Sequence, residues 1–415
     1  MEFDDLSQSG VRRIINYSPY LDQLAPHANE MGLRQRSNLV HLESCLHAEW
    51  CLGQNSILSW CPLDDGILIL VVPHYAIAEY TNGTSADLRA TQTVSATFIT
   101  ELISGDRQLT LTQMQKVARL LNIESKFIRL RQALNDHPVE TQIIEKMIRR
   151  YGITFVASRA VTLFDIVGFS LLTPFEQMTQ LNSLAYSLNS AHAKMLELDV
   201  SINFARSSSG DGFYIWNRDQ GLEANVNLYH FMHLVLADNA IAQSKSTART
   251  VPRLRACFHV GSCYEFHQAE GLNPTTHDFI VGDVTIELAR MIDAAMPGQI
   301  LVGDFLANAS GQHLTDMEES QVHLDAVTFL HRAQGNLAQL SGLELSGERV
   351  TAIKCYLTGE QMESGEFNIR KLEIKDKHGL MRTAYNAKVN IYRDTAEPIL
   401  LGIEDKKLVG GGAAI

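Results

Sequence analysis

Val161-Thr-Leu-Phe-Asp-Ile-Val-Gly-Phe-Ser-Leu-Leu-Thr173 is the stretch on which the reading of this chain turns. Its apolar first half predicts a strand that delivers Asp165 at its end, and Gly168 lets the backbone turn. Thr173 then offers a helix cap, Pro174 suits the first helical position, and Glu176, three residues past the cap, completes a capping box. A carboxylate beside the N–H groups of a new helix is odd as packing but useful for chemistry. The acid can hold a divalent cation while the amides hold phosphate oxygens.

A second stretch supplies a partner. Ser207-Ser-Ser-Gly-Asp-Gly-Phe-Tyr214 lies between two strand-like runs, Val200–Arg206 and Phe213–Trp216, which places Asp211 on a hairpin turn. The two aspartates are 211 − 165 = 46 positions apart, yet a strand–helix–hairpin order brings the turn beside the strand end. Two carboxylates meeting a triphosphate through two metals suit phosphoryl-transfer chemistry.

Four pieces in order then carry a resemblance. Phe164-Asp-Ile-Val-Gly-Phe-Ser170, Gly210-Asp-Gly212, Val281-Gly-Asp283 leading to Ala289-Arg-Met291, and Pro297-Gly-Gln-Ile-Leu-Val302 resemble the class III nucleotidyl cyclase domain over about residues 155–310. The resemblance implies an α+β fold: a ferredoxin-like core of antiparallel sheet with helices. It implies a homodimer with two composite sites, binding two Mg2+ or Mn2+ ions per site and a nucleoside triphosphate. Asp165 and Asp211 become the metal ligands. Arg290 becomes the group that stabilises charge on the reacting α-phosphate across the dimer seam. The N–H groups of Ile166, Val167, Gly168 and Phe169 become the triphosphate cradle. The product is a 3′,5′-cyclic nucleotide with pyrophosphate.

The chain departs from that family's pattern where the base and ribose are read. Ser207 stands where adenylyl-type members carry lysine and guanylyl-type members glutamate. Phe279, with Asp278 adjacent, takes the second base position, and Ile286 replaces the asparagine that orients the ribose. Arg206 does not substitute for the missing lysine, because strand alternation sends it to the opposite face. Specificity in such pockets comes from hydrogen bonds that leave the wrong base unpaired. Losing both purine-reading groups leans the reading toward a cyclic pyrimidine nucleotide, as in antiphage uridylate and cytidylate cyclases. The alternatives are an adenylate cyclase that reads adenine through other atoms, and a non-catalytic nucleotide-binding module.

Composition sets the surroundings. A chain of 415 residues, 45% hydrophobic and 20% charged, exceeds one ordinary domain and has ample core material. A net charge of −12 argues against nucleic acid or an anionic membrane as the main partner. The six cysteines form no Cys-x-x-Cys pair, which reads as reduced thiols rather than a zinc site. The sequence lacks a signal peptide and a membrane-span-length apolar run, so a cytoplasmic protein is expected.

The expected organisation runs outward from the core. Residues 1–108 form a mixed N-terminal regulatory or dimerisation region with a buried strand at Gly66–Pro73, a loop at Thr81–Ser85 and no recognisable ligand motif. Residues 109–152 form a helical connector, with Met114, Val117, Leu120 and Leu121, then Ile143, Ile144, Met147 and Ile148, at helical spacing. The catalytic domain spans 153–310. Its first helix places Met178, Leu181, Leu184, Leu188 and Met195 on one face. Residues 311–409 form a small α/β accessory domain resembling the C-terminal sensor domain of antiphage nucleotidyl cyclases, and 410–415 form a disordered tail.

Overall fold

The computed structural model describes residues 31–77, 96–134, 138–246, 248–270, 273–308, 323–337, 340–362, 367–376 and 379–404. The loop expected at Thr81–Ser85, the polar stretch around Thr315–Ser320 and the tail at 410–415 lie outside them. Contacts divide the chain into two units. Residues 1–155 with 264–279 make the first; 156–263 with 280–415 make the second.

In the first unit, strand β1 (Asn55–Leu63) pairs antiparallel with β2 (Gly66–Pro73), which pairs with β3 (Ser125–Arg129). The central strand covers the span read from its apolar run. Such a run requires both faces buried, and two separate cores do this. Helices α1 (Leu33–Trp50) and α4 (Pro138–Arg150) pack Leu39, Leu42, Ile144 and Met147 on the face carrying Ile67 and Ile69. Helices α2 (Ala96–Ser104) and α3 (Leu111–Leu121) pack Ile99, Ile103, Met114 and Val117 on the face carrying Leu70 and Val72. The expected helical connector is corrected here. Its two helices exist, but Ser125–Arg129 between them is a strand that completes the β2 edge, so the segment belongs to this unit's sheet.

From β4 (Ile153–Ile166) the chain leads to α5 (Pro174–Glu197), the hairpin β5 (Phe204–Ser208) and β6 (Gly212–Asn217), α6 (Leu222–Lys245), β7 (Leu254–Glu270), β8 (Asn273–Val281), α7 (Asp283–Ala294) and β9 (Ile300–Gly303); all of this falls in the second unit except the start of β4, the end of β7 and most of β8. That is the expected order with β8 added. Short strands β10 (Leu306–Asn308) and β11 (His323–Asp325) pair with each other before α8 (Ala326–Leu337). The chain ends through β12 (Leu343–Leu345), β13 (Glu348–Leu357), the small hairpin of β14 (Gly359–Gln361) and β15 (Phe367–Ile369), β16 (Lys371–Lys375), β17 (Met381–Arg393) and β18 (Ile399–Leu401).

The sheet path is β12-β13-β17-β9-β7-β4-β6-β5, with β16 and β18 on β17 and β8 on β7. Strand β7 pairs parallel with β9, whereas β17–β9 and β4–β6 pair antiparallel. The expected boundary near 310 is therefore no fold boundary. Strand β17 pairs with β9 along Ala384↔Gly303 to Ala387↔Ile300, so residues beyond 310 extend the core sheet. The physical reason is the backbone edge of β9, whose N–H and C=O groups need a partner once buried.

Helices α5, α6 and α8 cover one face of this sheet through Leu188, Phe231 and Phe329; α7 covers the other through Val284, Leu288 and Met291. Helix α6 is buried almost all round from Ala224 to Ile241, with the polar Asn225, His230, His233, Asp238 and Asn239 among its buried residues. On α5 the expected stripe holds for Leu184, Leu188 and Met195, but Met178 is 54% exposed. Among the described residues, no helix is long and apolar enough to cross a membrane.

Candidate active site

Asp165 ends β4 and pairs in register with Gly212, which follows Asp211 in the β5–β6 turn. A Cβ at position 212 would stand 1.8 Å from the Phe164 carbonyl oxygen, so only glycine lets the two chains approach this closely. The Ile166 N–H donates to the Asp211 carbonyl at 3.0 Å, locking the turn against the strand end. The two aspartates are thereby neighbours, and their carboxylates interact.

Arg255 on β7 was not anticipated. Its Nε donates to Asp165 Oδ2 at 2.8 Å and a terminal nitrogen lies 2.6 Å from the same oxygen. Its other terminal nitrogen donates to the carbonyls of Ile292 and Ala295, the end of α7, at 3.1 and 3.0 Å. A signal was present in the sequence. Leu254, Ala256 and Phe258 alternate toward one core, so a charged residue at 255 had to face the other side of a buried strand. Burial pushes the Asp165 carboxyl above the usual carboxylate range. Arg255 opposes that shift and the Asp211 charge reinforces it.

The turn after β4 follows its sequence. Gly168 has φ 71°, in the left-handed region, and a short 3-10 turn spans Phe169–Leu171. Thr173 caps α5 with Pro174 next, and Glu176 Oε2 accepts from the Thr173 N–H at 2.8 Å and its hydroxyl at 2.9 Å. Those bonds hold the Glu176 carboxyl below its ordinary value. The expected cradle of four amides narrows. Ile166 and Val167 already donate to the Asp211 and Arg253 carbonyls, leaving Gly168 and Phe169 for an anion.

A cavity of about 320 Å³ lies between the β5–β6 hairpin and α7. Ser207, Tyr214, Ile280, Thr285, Ile286 and Arg290 line it. The fold thus brings together three of the positions singled out in sequence, Ser207, Ile286 and Arg290, while neither aspartate lines that cavity. Phe279, expected there, instead stacks on Phe266 at 5.8 Å within the 264–279 segment of the first unit, and its successor Ile280 takes the lining position. Arg206 lies over the Phe213 ring at 5.5 Å, on the opposite face from Ser207 as alternation requires.

Two adjacent carboxylates form a hard oxygen donor set that fits Mg2+ or Mn2+. No group of three or more His, Cys, Asp or Glu side chains forms a complete metal cage among the described residues, so remaining ligands would come from phosphate or water. Arg255 engages Oδ2 of Asp165, and the Asp211 side chain also meets this carboxyl. All six cysteines are free thiols.

No protein-family model and no curated protein matches the sequence. Among solved structures the chain is similar to the catalytic core of a rhodopsin-guanylyl cyclase with converted specificity in complex with ATPαS, at 13% identity over 58% of this chain and 98% of that one, TM-score 0.33. It is similar to the guanylate cyclase domain of RhGC from Catenaria anguillulae in complex with GTP, at 13% identity over 56% and 97% of the two chains, TM-score 0.33. It is also similar to the adenylyl cyclase CyaB from P. aeruginosa, at 13% identity over 56% and 95%, TM-score 0.31. Overlaps of this size carry neither a substrate nor a mechanism to this chain.

Proposed function

We propose that this chain is a class III nucleotidyl cyclase that closes a nucleoside triphosphate into a 3′,5′-cyclic nucleotide and pyrophosphate. One observation carries the reading: Asp165 and Asp211, far apart in sequence, share one strand end beside the Gly168–Phe169 turn. The ribose 3′-oxygen forms a bond to the α-phosphorus, the bond from that phosphorus to the bridging oxygen breaks, and the hydroxyl proton passes to water. Divalent cations, when bound, lower the pKa of the 3′-hydroxyl and neutralise the phosphates. Asp165 and Asp211 would hold those cations. Gly168 and Phe169 N–H groups meet a phosphate oxygen, and Arg255 keeps the buried Asp165 from carrying its charge alone.

Arg290 lines a cavity that the aspartates do not, which supports a site completed by a second copy of the chain. The described residues that line the cavity offer the hydroxyls of Ser207, Ser208, Tyr214 and Thr285 and no lysine, glutamate or asparagine, which supports a base read without a charged partner. On this reading the base is a pyrimidine. Incubating pure protein with ATP, GTP, CTP or UTP and Mn2+, then identifying the product, tests both points. Cyclic UMP or CMP as main product is expected; cyclic AMP would correct the base. Absence of any product would favour the non-catalytic module, which Ile286 and the Arg255–Asp165 pair support. Asp165→Ala and Arg290→Ala chains, each inactive, should together regain about a quarter of wild-type rate, because half of all dimers then pair one chain of each kind and each such dimer holds one intact site of two. No recovery despite confirmed mixing overturns the shared site.

A further inference from the structure

Behind the cavity, charged groups from two distant segments meet. Glu287, Arg290 and Asp293 come from α7, while Asp376 and Arg382 come from the β16–β17 hairpin, 376 − 290 = 86 positions on. The Asp376 carboxylate is 1% exposed. Its Oδ1 accepts the Leu380 N–H at 2.9 Å, which closes the hairpin turn. Its Oδ2 accepts from Arg382 Nε at 3.3 Å and lies 3.8 Å from Arg290 Nε. Arg382 is held in turn by Glu287. Arg290 Nε is buried with no hydrogen bond of its own, so the Asp376 charge is what faces it. The other carboxylate near Arg290, Asp293, lies 3.7 Å from a terminal nitrogen and is 69% exposed, where screening leaves little attraction.

We propose that Asp376 is a positioning residue for the reaction. It fixes the Arg290 guanidinium by its inner edge and leaves the terminal nitrogens turned to an anion in the cavity. This inference rests on the reading of Arg290 as the group that meets the reacting phosphate. An unheld arginine side chain has many rotamers, and its ordering has to be provided before it can favour a transition state. Asp376, itself engaged by the Leu380 N–H and by Arg382, supplies that ordering through charge. The C-terminal hairpin thereby becomes part of the catalytic apparatus although it touches no substrate.

Asp376→Asn is the discriminating variant, because the amide oxygen keeps the Leu380 bond while the charge facing Arg290 is lost. We expect kcat to fall about tenfold or more with KM near wild type. Unchanged kcat, or a loss carried by KM alone, overturns the proposal. A second readout does not need turnover. The Arg290 side-chain Nε–H resonance, assigned by its loss in Arg290→Ala, should move and exchange faster with water in Asp376→Asn. If wild-type protein makes no cyclic product, the cyclase reading fails, and this resonance still decides the positioning: a shift supports it and an unmoved signal overturns it. Should Asp376→Asn not fold, Asp376→Ser keeps an acceptor for Leu380 and is measured in the same ways.

Discussion

Asp165 stands in two opposed fields. Burial raises its pKa, Arg255 pulls it down, and the Asp211 charge pushes it up again. Its folded value lies above that of a free carboxylate, so its protonated form stabilises the fold; that contribution is complete below the free value and is lost as pH rises through the folded one. A cation must displace the same proton, so metal affinity should weaken as pH falls through the raised value. Replacing Asp211 by Asn removes a raising cause. The Asp165 carboxyl, followed by carbon NMR, should then titrate at lower pH than in wild type. An unchanged or higher midpoint would show that the two side chains do not share a field.

At the scale of elements, the first unit is closed by one arginine. Arg107 is fully buried and its terminal nitrogens donate to the carbonyls of Leu58, Leu102, Ile103 and Ile153 at 2.7 to 3.2 Å. Leu102 and Ile103 are among the last carbonyls of α2, which the helix itself leaves unpaired. One side chain therefore ties α2 to β1 and to the start of β4. Burial lowers the guanidinium pKa to about 9, a measure of how far it has left water. Arg107→Met keeps the stem and strands four carbonyls, so denaturant unfolding should show a loss of roughly 3 kcal/mol or more. A loss below about 1 kcal/mol would mean that water replaces the guanidinium.

For the whole molecule, β17 is the strand on which the second unit depends. It pairs with β9 and β13 and carries the buried Tyr385, Ala387, Val389 and Ile391. Asn386, also on β17, accepts from the Gln299 amide at 3.0 Å and donates to Ile403. A chain ending at residue 310 keeps every motif residue and loses this closure. It should expose the β9 edge and aggregate rather than purify as a folded domain, because open apolar edges recruit other chains. A monodisperse truncated protein with native-like circular dichroism would refute that dependence.

Local signals were enough to place Asp165 at a strand end, to start α5 at a Thr173–Glu176 box, and to give the order of elements from β4 to β9 apart from β8. Each of these follows from a periodicity or a cap written within a few residues. The sequence also separated Arg206 from Ser207, since strand alternation acts between neighbours. It could not show Arg255 against Asp165, Asp376 behind Arg290, β3 on β2 or β17 on β9. Those pairings depend on which distant strand fills an open edge and which buried charge needs an opposite one, and only the folded chain decides that.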